Sequence, residues 1–194
     1  YFKNGKCKIC QKTCQIEGCI DFDMQDVIEE YEVCAIVVAT GFQIQDTSVY
    51  GEYGYGKYKD VITGLSFERL ASASGPTAGK IQRPSDGKDP ETVVFIQCAG
   101  SRDENHLRHC SRICCMASLK QTQFMREAWG DAAQSTVYYI DIRAIDRFED
   151  FYQEVKANPN VSFVKSKVAR ISEDKNGDPR LWGVNTEGYV RYSE

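Results

Sequence analysis

The apolar positions of this chain fall into short continuous runs, set apart by long polar and glycine-rich stretches. Val33-Cys34-Ala35-Ile36-Val37-Val38 is one such run, closed by Ala39-Thr40-Gly41. Thr92–Gln97 (TVVFIQ) is a second, closed by Cys98-Ala99-Gly100. Both have the length and β-branched content of buried parallel strands that end in a tight turn. Further strands are predicted over Thr136–Ile142 and Val161–Val164. Helical spacing takes over between them. One helix is predicted from near Ser111 to Trp129, and another over Arg147–Ala157, where Phe148, Phe151, Tyr152 and Val155 share a face. A shorter helix around Ser66–Ser74 interrupts the Gly-, Tyr-, Ser- and Pro-rich connection 43–92. Val168–Ser172 and Leu181–Asn185 flank Asn176-Gly177 as a hairpin. Strand and helix alternate, which predicts an α/β fold, doubly wound about a parallel sheet. Residues 1–24 stand apart as a polar, cysteine-rich segment unable to bury a core of its own. The expected division is therefore 1–24, 25–92 and 93–194.

Composition narrows the class without naming it. Hydrophobic residues make up 42% and charged residues 27%, the balance of a soluble globular protein. A net charge of −4 leaves no basic footprint for nucleic acid. No apolar run approaches the roughly 20 residues that span a bilayer. No basic, apolar leader opens the chain either, so a cytoplasmic protein without a membrane span of its own is expected. The chain starts at Tyr1 and stops in a strand-like run, and it reads as an excerpt of a longer protein.

The nine cysteines change the picture. An odd count in two tight groups argues against a disulfide framework. Thiolates so closely spaced are the soft donors that iron–sulfur clusters and zinc require. In the later group, Cys98 closes the second strand, at the end of a sheet where α/β folds bind ligands. No G-x-G-x-x-G follows it, and the look-alike Gly51–Gly56 has the wrong spacing and no strand before it. A pyridine-nucleotide dehydrogenase is thereby disfavoured, and a thiolate stands where a phosphate turn would be. Cys110, Cys114 and Cys115 follow. On a helix opening, Cys110 and Cys114 would share a face, with Cys115 about 100° around from Cys114. Together with Cys98 they make the four thiolates of a [4Fe–4S] cluster. A helix amino terminus favours its negative charge, and so do Arg102, Arg108 and Arg112. The bland alternative is a core cysteine at Cys98 and a packed helix pair at Cys114–Cys115, since free cysteine behaves as a small hydrophobe. Spacing alone leaves both open.

In the first group, Cys7-x2-Cys10-x3-Cys14 matches the end of a ferredoxin pattern, with Asn4 at the place of the first cysteine and Gln15 at that of the proline. Cys19 then supplies a fourth thiolate for a nonstandard [4Fe–4S] site; a three-iron cluster or a four-cysteine zinc site are the alternatives. A thioredoxin-like dithiol at Cys7 and Cys10 is disfavoured because no βαβ start surrounds it. Cys34, inside a predicted buried strand, reads as structural. His106 and His109 flank the second group in solvated or supporting roles, and the tyrosine run Tyr50–Tyr58 packs a glycine-rich loop. Ala39-Thr40-Gly41 supplies small residues where backbone can pass close to a cofactor. Many strands end in this way, so the motif alone decides nothing.

The wording F-I-Q-C-A-G-S-R-D-E, then H-C-S-R-I-C-C-M-A-S-L-K-Q, closely resembles the A-subunit family of heterodisulfide reductases, which are iron–sulfur flavoproteins. Y-G-Y-G-K-Y-K-D-V-I-T, F-E-R-L-A-S-A-S-G-P-T, R-P-S-D-G-K and Y-Y-I-D-I-R-A are similar too, and the likeness runs over roughly residues 30 to 165. It extends to the related flavoprotein subunits of the quinone-interacting membrane-bound oxidoreductase of sulfate reducers. The resemblance implies thioredoxin-reductase-like dinucleotide-binding domains. Residues 25–92 would be the end of an FAD-binding domain and its connection, and 93–194 a second domain holding a [4Fe–4S] cluster on Cys98, Cys110, Cys114 and Cys115. It also implies FAD contact at Ala39, Thr40 and Gly41. The function so implied is that of an oxidoreductase component relaying electrons between FAD and clusters to sister subunits. D-I-R-A-I-D-R-F-E-D-F-Y and the incomplete ferredoxin pattern incline this reading to the complex linking menaquinol to adenylylsulfate reduction. A flavin-bifurcating heterodisulfide reductase component is the alternative within the class. A zinc-stabilised, non-catalytic interaction module is the alternative outside it.

Overall fold

The structure, a computed structural model, describes residues 5–185 and 190–193, the side chains of the last four excepted. Asn4, where a first ferredoxin cysteine was expected, lies outside the described residues. The chain divides into two compact units, Tyr1–Gln43 and Ile44–Glu194.

In the first unit a single short helix, α1 (Ile9–Thr13), carries Cys10. Its end is held by the Cys14 N–H donating to the Cys10 carbonyl at 3.0 Å, and Gln11 Nε2 donates to the Ile20 carbonyl at 2.9 Å. No described side chain of this unit is buried. The strand expected over Val33–Val38 does not form: Val37 is 90% exposed, and no ladder bonds are made there. A buried parallel strand needs neighbours on both edges and cover on both faces, and no described residue pairs with this one. Cys34 is exposed with it and so is not a core cysteine.

The second unit is built on a five-stranded sheet in the order β1 (Thr92–Ile96), β2 (Gln134–Tyr139), β3 (Val161–Glu173), β4 (Pro179–Asn185), β5 (Val190–Ser193). β1, β2 and β3 run parallel, in register Phe95↔Val137↔Phe163. β4 and β5 add antiparallel ladders. The predicted strand 161–164 and the first arm of the hairpin are one long strand, paired to β2 through Lys165 and to β4 from Ser166 on, with an irregularity between Val168 and Arg170 inside the β4 ladder. The hairpin itself is as expected, closed by the Asp174 N–H donating to the Asp178 carbonyl at 3.0 Å.

Alternation along the strands divides the core in two. Phe95, Val137 and Val161 face α2 (Gly64–Ala71), α3 (Cys114–Trp129) and α4 (Phe148–Lys156), packing with Phe67, Leu119, Met125 and Val155. Tyr138, Val168 and Leu181 face the other way, onto Tyr50 and Tyr53 of the tyrosine-rich connection. The α/β class therefore holds, but the described sheet is not doubly wound. Its parallel strands follow one another in chain order without reversing. Right-handed crossovers that step in one direction place their helices on one face only. The thioredoxin-reductase-like form of the fold rests on the resemblance alone.

Candidate metal centre

The carboxyl ends of β1 and β2 and the amino end of α3 come together. Gln97, Cys98 and the loop 98–113 leave β1; Asp141 and Arg143 follow β2; Cys114 and Cys115 open α3. The helix begins later than the sequence predicts, so Cys110 lies on the approach to it and not on the face of Cys114. Arg112 takes a left-handed conformation (φ 59) in that approach, which no helix could continue. The Arg112 N–H turns back to the Cys110 sulfur at 3.3 Å.

Cys98 is buried and itself left-handed (φ 56), as is Arg102 (φ 54). Single non-glycine residues there cost on the order of 1–2 kcal/mol each, and such conformations gather where surrounding structure over-determines a site. Here the loop is held from several sides. Leu107 N–H donates to the Gly100 carbonyl at 3.1 Å, and Asp103 N–H to the Leu107 carbonyl at 3.0 Å. The Asp103 carboxylate is tied to Lys167 of β3 by an ion pair. Gly100 (φ 84) lies flat against Tyr50, whose ring would sit 2.2 Å from any Cβ at that position. Tyr50 in turn meets the edge of His106, ring centres 4.4 Å apart.

Cys98, Cys114 and Cys115 act on one another electrostatically. The Cys114 thiol is pulled down to about 6, first by a hydrogen bond from Cys115, then by the Ser111 hydroxyl and the main-chain N–H groups of Cys115 and Cys98. Cys115 is pushed up by sharing its proton with Cys114 and by burial. Its sulfur stands 3.8 Å from the Asp141 carbonyl. Burial, then the negative charge of Cys114 and Cys110, pushes Cys98 up against a hydrogen bond from Arg102. A thiolate is thus favoured at Cys114 over Cys98 and Cys115. Arg102 Nη1 reaches Asp141 Oδ1 at 2.6 Å, and Arg143 Nε reaches the same oxygen at 3.2 Å.

Among the described residues, no three His, Cys, Asp or Glu side chains close on a point that a single metal ion would fill. A four-iron cluster takes one thiolate at each iron, so its ligand sulfurs stand further apart than those around one ion. A donor set of soft sulfurs, main-chain N–H groups and arginine fits such a cluster. The first group is built differently: Cys7 and Cys14 are half-buried, Cys10 and Cys19 exposed, and the short helix α1 carries Cys10. Ala39, Thr40 and Gly41 are exposed, and nothing lies within 4 Å of Gly41 where a Cβ would stand. The described residues build no cradle for a flavin there.

Asp141, Arg143, Ser111 and Gln97 escaped the sequence reading as members of the site. Gln97 Nε2 donates to the Cys114 carbonyl at 3.3 Å, while its buried Oε1 and the buried Tyr50 hydroxyl have no hydrogen-bond partner. The sequence predicts a strand to Ile142, but β2 ends at Tyr139, and that earlier end brings Asp141 and Arg143 to the site; nothing marked Ser111 or Gln97.

No family model matches the chain. It is similar to the A subunit of the ferredoxin:CoB-CoM heterodisulfide reductase of Methanosarcina mazei, 41% identical over 93% of this chain and 23% of that one. The A subunit of the H(2):CoB-CoM heterodisulfide,ferredoxin reductase of Methanothermobacter marburgensis is 41% identical over 87% of this chain and 26% of its own. An iron-sulfur A subunit of the CoB-CoM heterodisulfide reductase of Methanopyrus kandleri is 44% identical, over 80% and 24%. The chain spans about a quarter of the length of these relatives.

Proposed function

We propose, for a chain that belongs to the A-subunit family of heterodisulfide reductases, that it is an electron-transfer segment of an oxidoreductase. Cys98, Cys110, Cys114 and Cys115 would hold a [4Fe–4S] cluster, which when bound supplies one-electron exchange. This chain's own residues then have a defined task. The β1 end and the α3 start hold the thiols apart, and the main-chain N–H groups of Cys98 and Cys115 direct themselves at the Cys114 sulfur. The observation that carries the reading is that Cys98 at the end of β1 and Cys114 and Cys115 at the start of α3 meet at the carboxyl ends of the parallel strands, the main-chain N–H groups of Cys98 and Cys115 donating to the Cys114 sulfur, with Cys110 on the approach to the helix. The Methanopyrus relative supports it, being named an iron-sulfur subunit.

Cys7, Cys10, Cys14 and Cys19 are proposed to hold a second iron–sulfur centre, on spacing alone. FAD contact at Ala39-Thr40-Gly41 rests on the family resemblance and would need chain beyond the described residues to complete it. Partners are sister subunits of a heterodisulfide reductase-type complex. The leaning towards menaquinol and adenylylsulfate finds no support, since the relatives named above belong to heterodisulfide reductases, and it is withdrawn. The bifurcating alternative fits them. Among the described residues no helix is long and apolar enough to cross a membrane.

Metal and acid-labile sulfide analysis of anaerobically purified protein tests this. Brown protein with iron and matching sulfide is expected. Colourless protein holding zinc would leave the non-catalytic interaction module in its place.

A further inference from the structure

The thiols are bounded on one side by the start of α3 and on the other by a charged group in which Arg102, marked by the sequence, is joined by Asp141 and Arg143. Arg102 bridges two partners, hydrogen-bonding Cys98 and reaching Asp141 Oδ1 at 2.6 Å. Asp141 is shared, because Arg143 Nε also reaches Oδ1, at 3.2 Å. The main chain of the same two residues faces Cys115: the Asp141 carbonyl lies 3.8 Å from its sulfur, and the Arg143 N–H donates to it. So one carboxylate sits between two guanidinium groups, each of whose residues also touches a cysteine. Arg102 is only 23% exposed, and its Nη1 is paired with Asp141 Oδ1 at the site.

We propose that Arg102, Asp141 and Arg143 form a charge clamp that sets the reduction potential of a cluster bound by Cys98, Cys110, Cys114 and Cys115. The clamp rests on the cluster reading above. Each one-electron reduction adds a unit of negative charge at the sulfurs, and a fixed positive charge beside them favours the reduced state. Asp141 moderates that effect by engaging both guanidinium groups. Removing it frees them to face sulfur, whereas removing Arg102 strips Cys98 of its donor and leaves Asp141 less compensated. The two substitutions therefore act in opposite directions. A residue needed only for folding would not produce that sign pattern.

The test is an EPR-monitored redox titration of the full chain, purified anaerobically, as wild type, Arg102→Gln, Arg102→Lys and Asp141→Asn. Iron content is measured on each sample. Arg102→Gln is expected to lower the midpoint and Asp141→Asn to raise it. A tenfold change in the ratio of reduced to oxidised cluster corresponds to about 59 mV for one electron. Arg102→Lys keeps the charge but loses the fork, and falls between wild type and Arg102→Gln. If an Arg102 variant fails to fold, the sign of the isosteric Asp141→Asn shift decides. Iron-replete variants with unchanged midpoints, or shifts of the same sign for Arg102→Gln and Asp141→Asn, overturn the clamp and leave the cluster standing. Wild-type protein without iron overturns the cluster and the clamp with it.

Discussion

The two groups of cysteines in this chain, each proposed to hold a metal centre, are built in two different ways. Cys98, Cys110, Cys114 and Cys115 sit at the end of a sheet whose strands are covered on both faces, and their positions are dictated by a core that has no need of metal. Cys7, Cys10, Cys14 and Cys19 lie in a unit with no buried side chain among the described residues, related by one helix of five residues. In the first case the scaffold pays the ordering entropy beforehand. In the second, binding of the metal centre proposed there and folding would be one event.

The largest effect follows directly. Anaerobic chelation of iron is expected to abolish the order of residues 5–43, seen as rapid proteolytic cleavage, while the sheet unit stays resistant. Equal cleavage of both would erase the distinction. Next, Leu119→Ala removes a fully buried side chain from the α3 face of the core. It should cost about 3 kcal/mol in urea unfolding. Iron bound at the sheet end should loosen with it, while iron in the first unit remains.

Gly100→Ala acts more locally. The residue has φ 84, and its new Cβ would meet the Tyr50 ring. A loss of roughly 2 kcal/mol is expected from the backbone and the displaced ring, together with weaker iron retention at Cys98 than that loss alone accounts for. Iron retention unchanged would mean that the loop is a bystander. The smallest effect is a titration. In iron-free protein, iodoacetamide should label Cys114 before Cys98, because one thiol is pulled down to about 6 and the other pushed up. A thiol of lowered pKa is thiolate above that value, so labelling of Cys114 should fall away as pH drops through about 6. Mass spectrometry of the labelled peptides reads both.

The same contrast explains what could be read from the sequence. TVVFIQ, the helix after Ile113 and the amphipathic 148–156 were legible, since each carries its period in neighbouring residues and is confirmed by partners within the chain. Val33–Val38 has an equally strand-like composition and is not a strand here, because composition is a local property and a ladder is not. The second cysteine group was legible through its residue types. Its geometry was not: the helix starts at Cys114 because left-handed Arg112 interrupts the approach, and nothing in C-S-R-I-C-C signals that turn. Asp141 and Arg143 reach the site only because β2 lies beside β1 in the sheet. Long-range pairing of that kind leaves no mark in spacing.

The central claim is that Cys98, Cys110, Cys114 and Cys115 hold one cluster on a scaffold that stands without it. The most direct measurement is iron content with reduced-state EPR on anaerobic wild type, Cys114→Ser and Cys10→Ser, each followed by urea unfolding of the sheet unit. Cys114→Ser should lose about four irons and one EPR signal while the sheet unit unfolds at nearly the wild-type urea concentration, and Cys10→Ser should leave that signal intact. Unchanged iron and spectrum in Cys114→Ser would contradict the account.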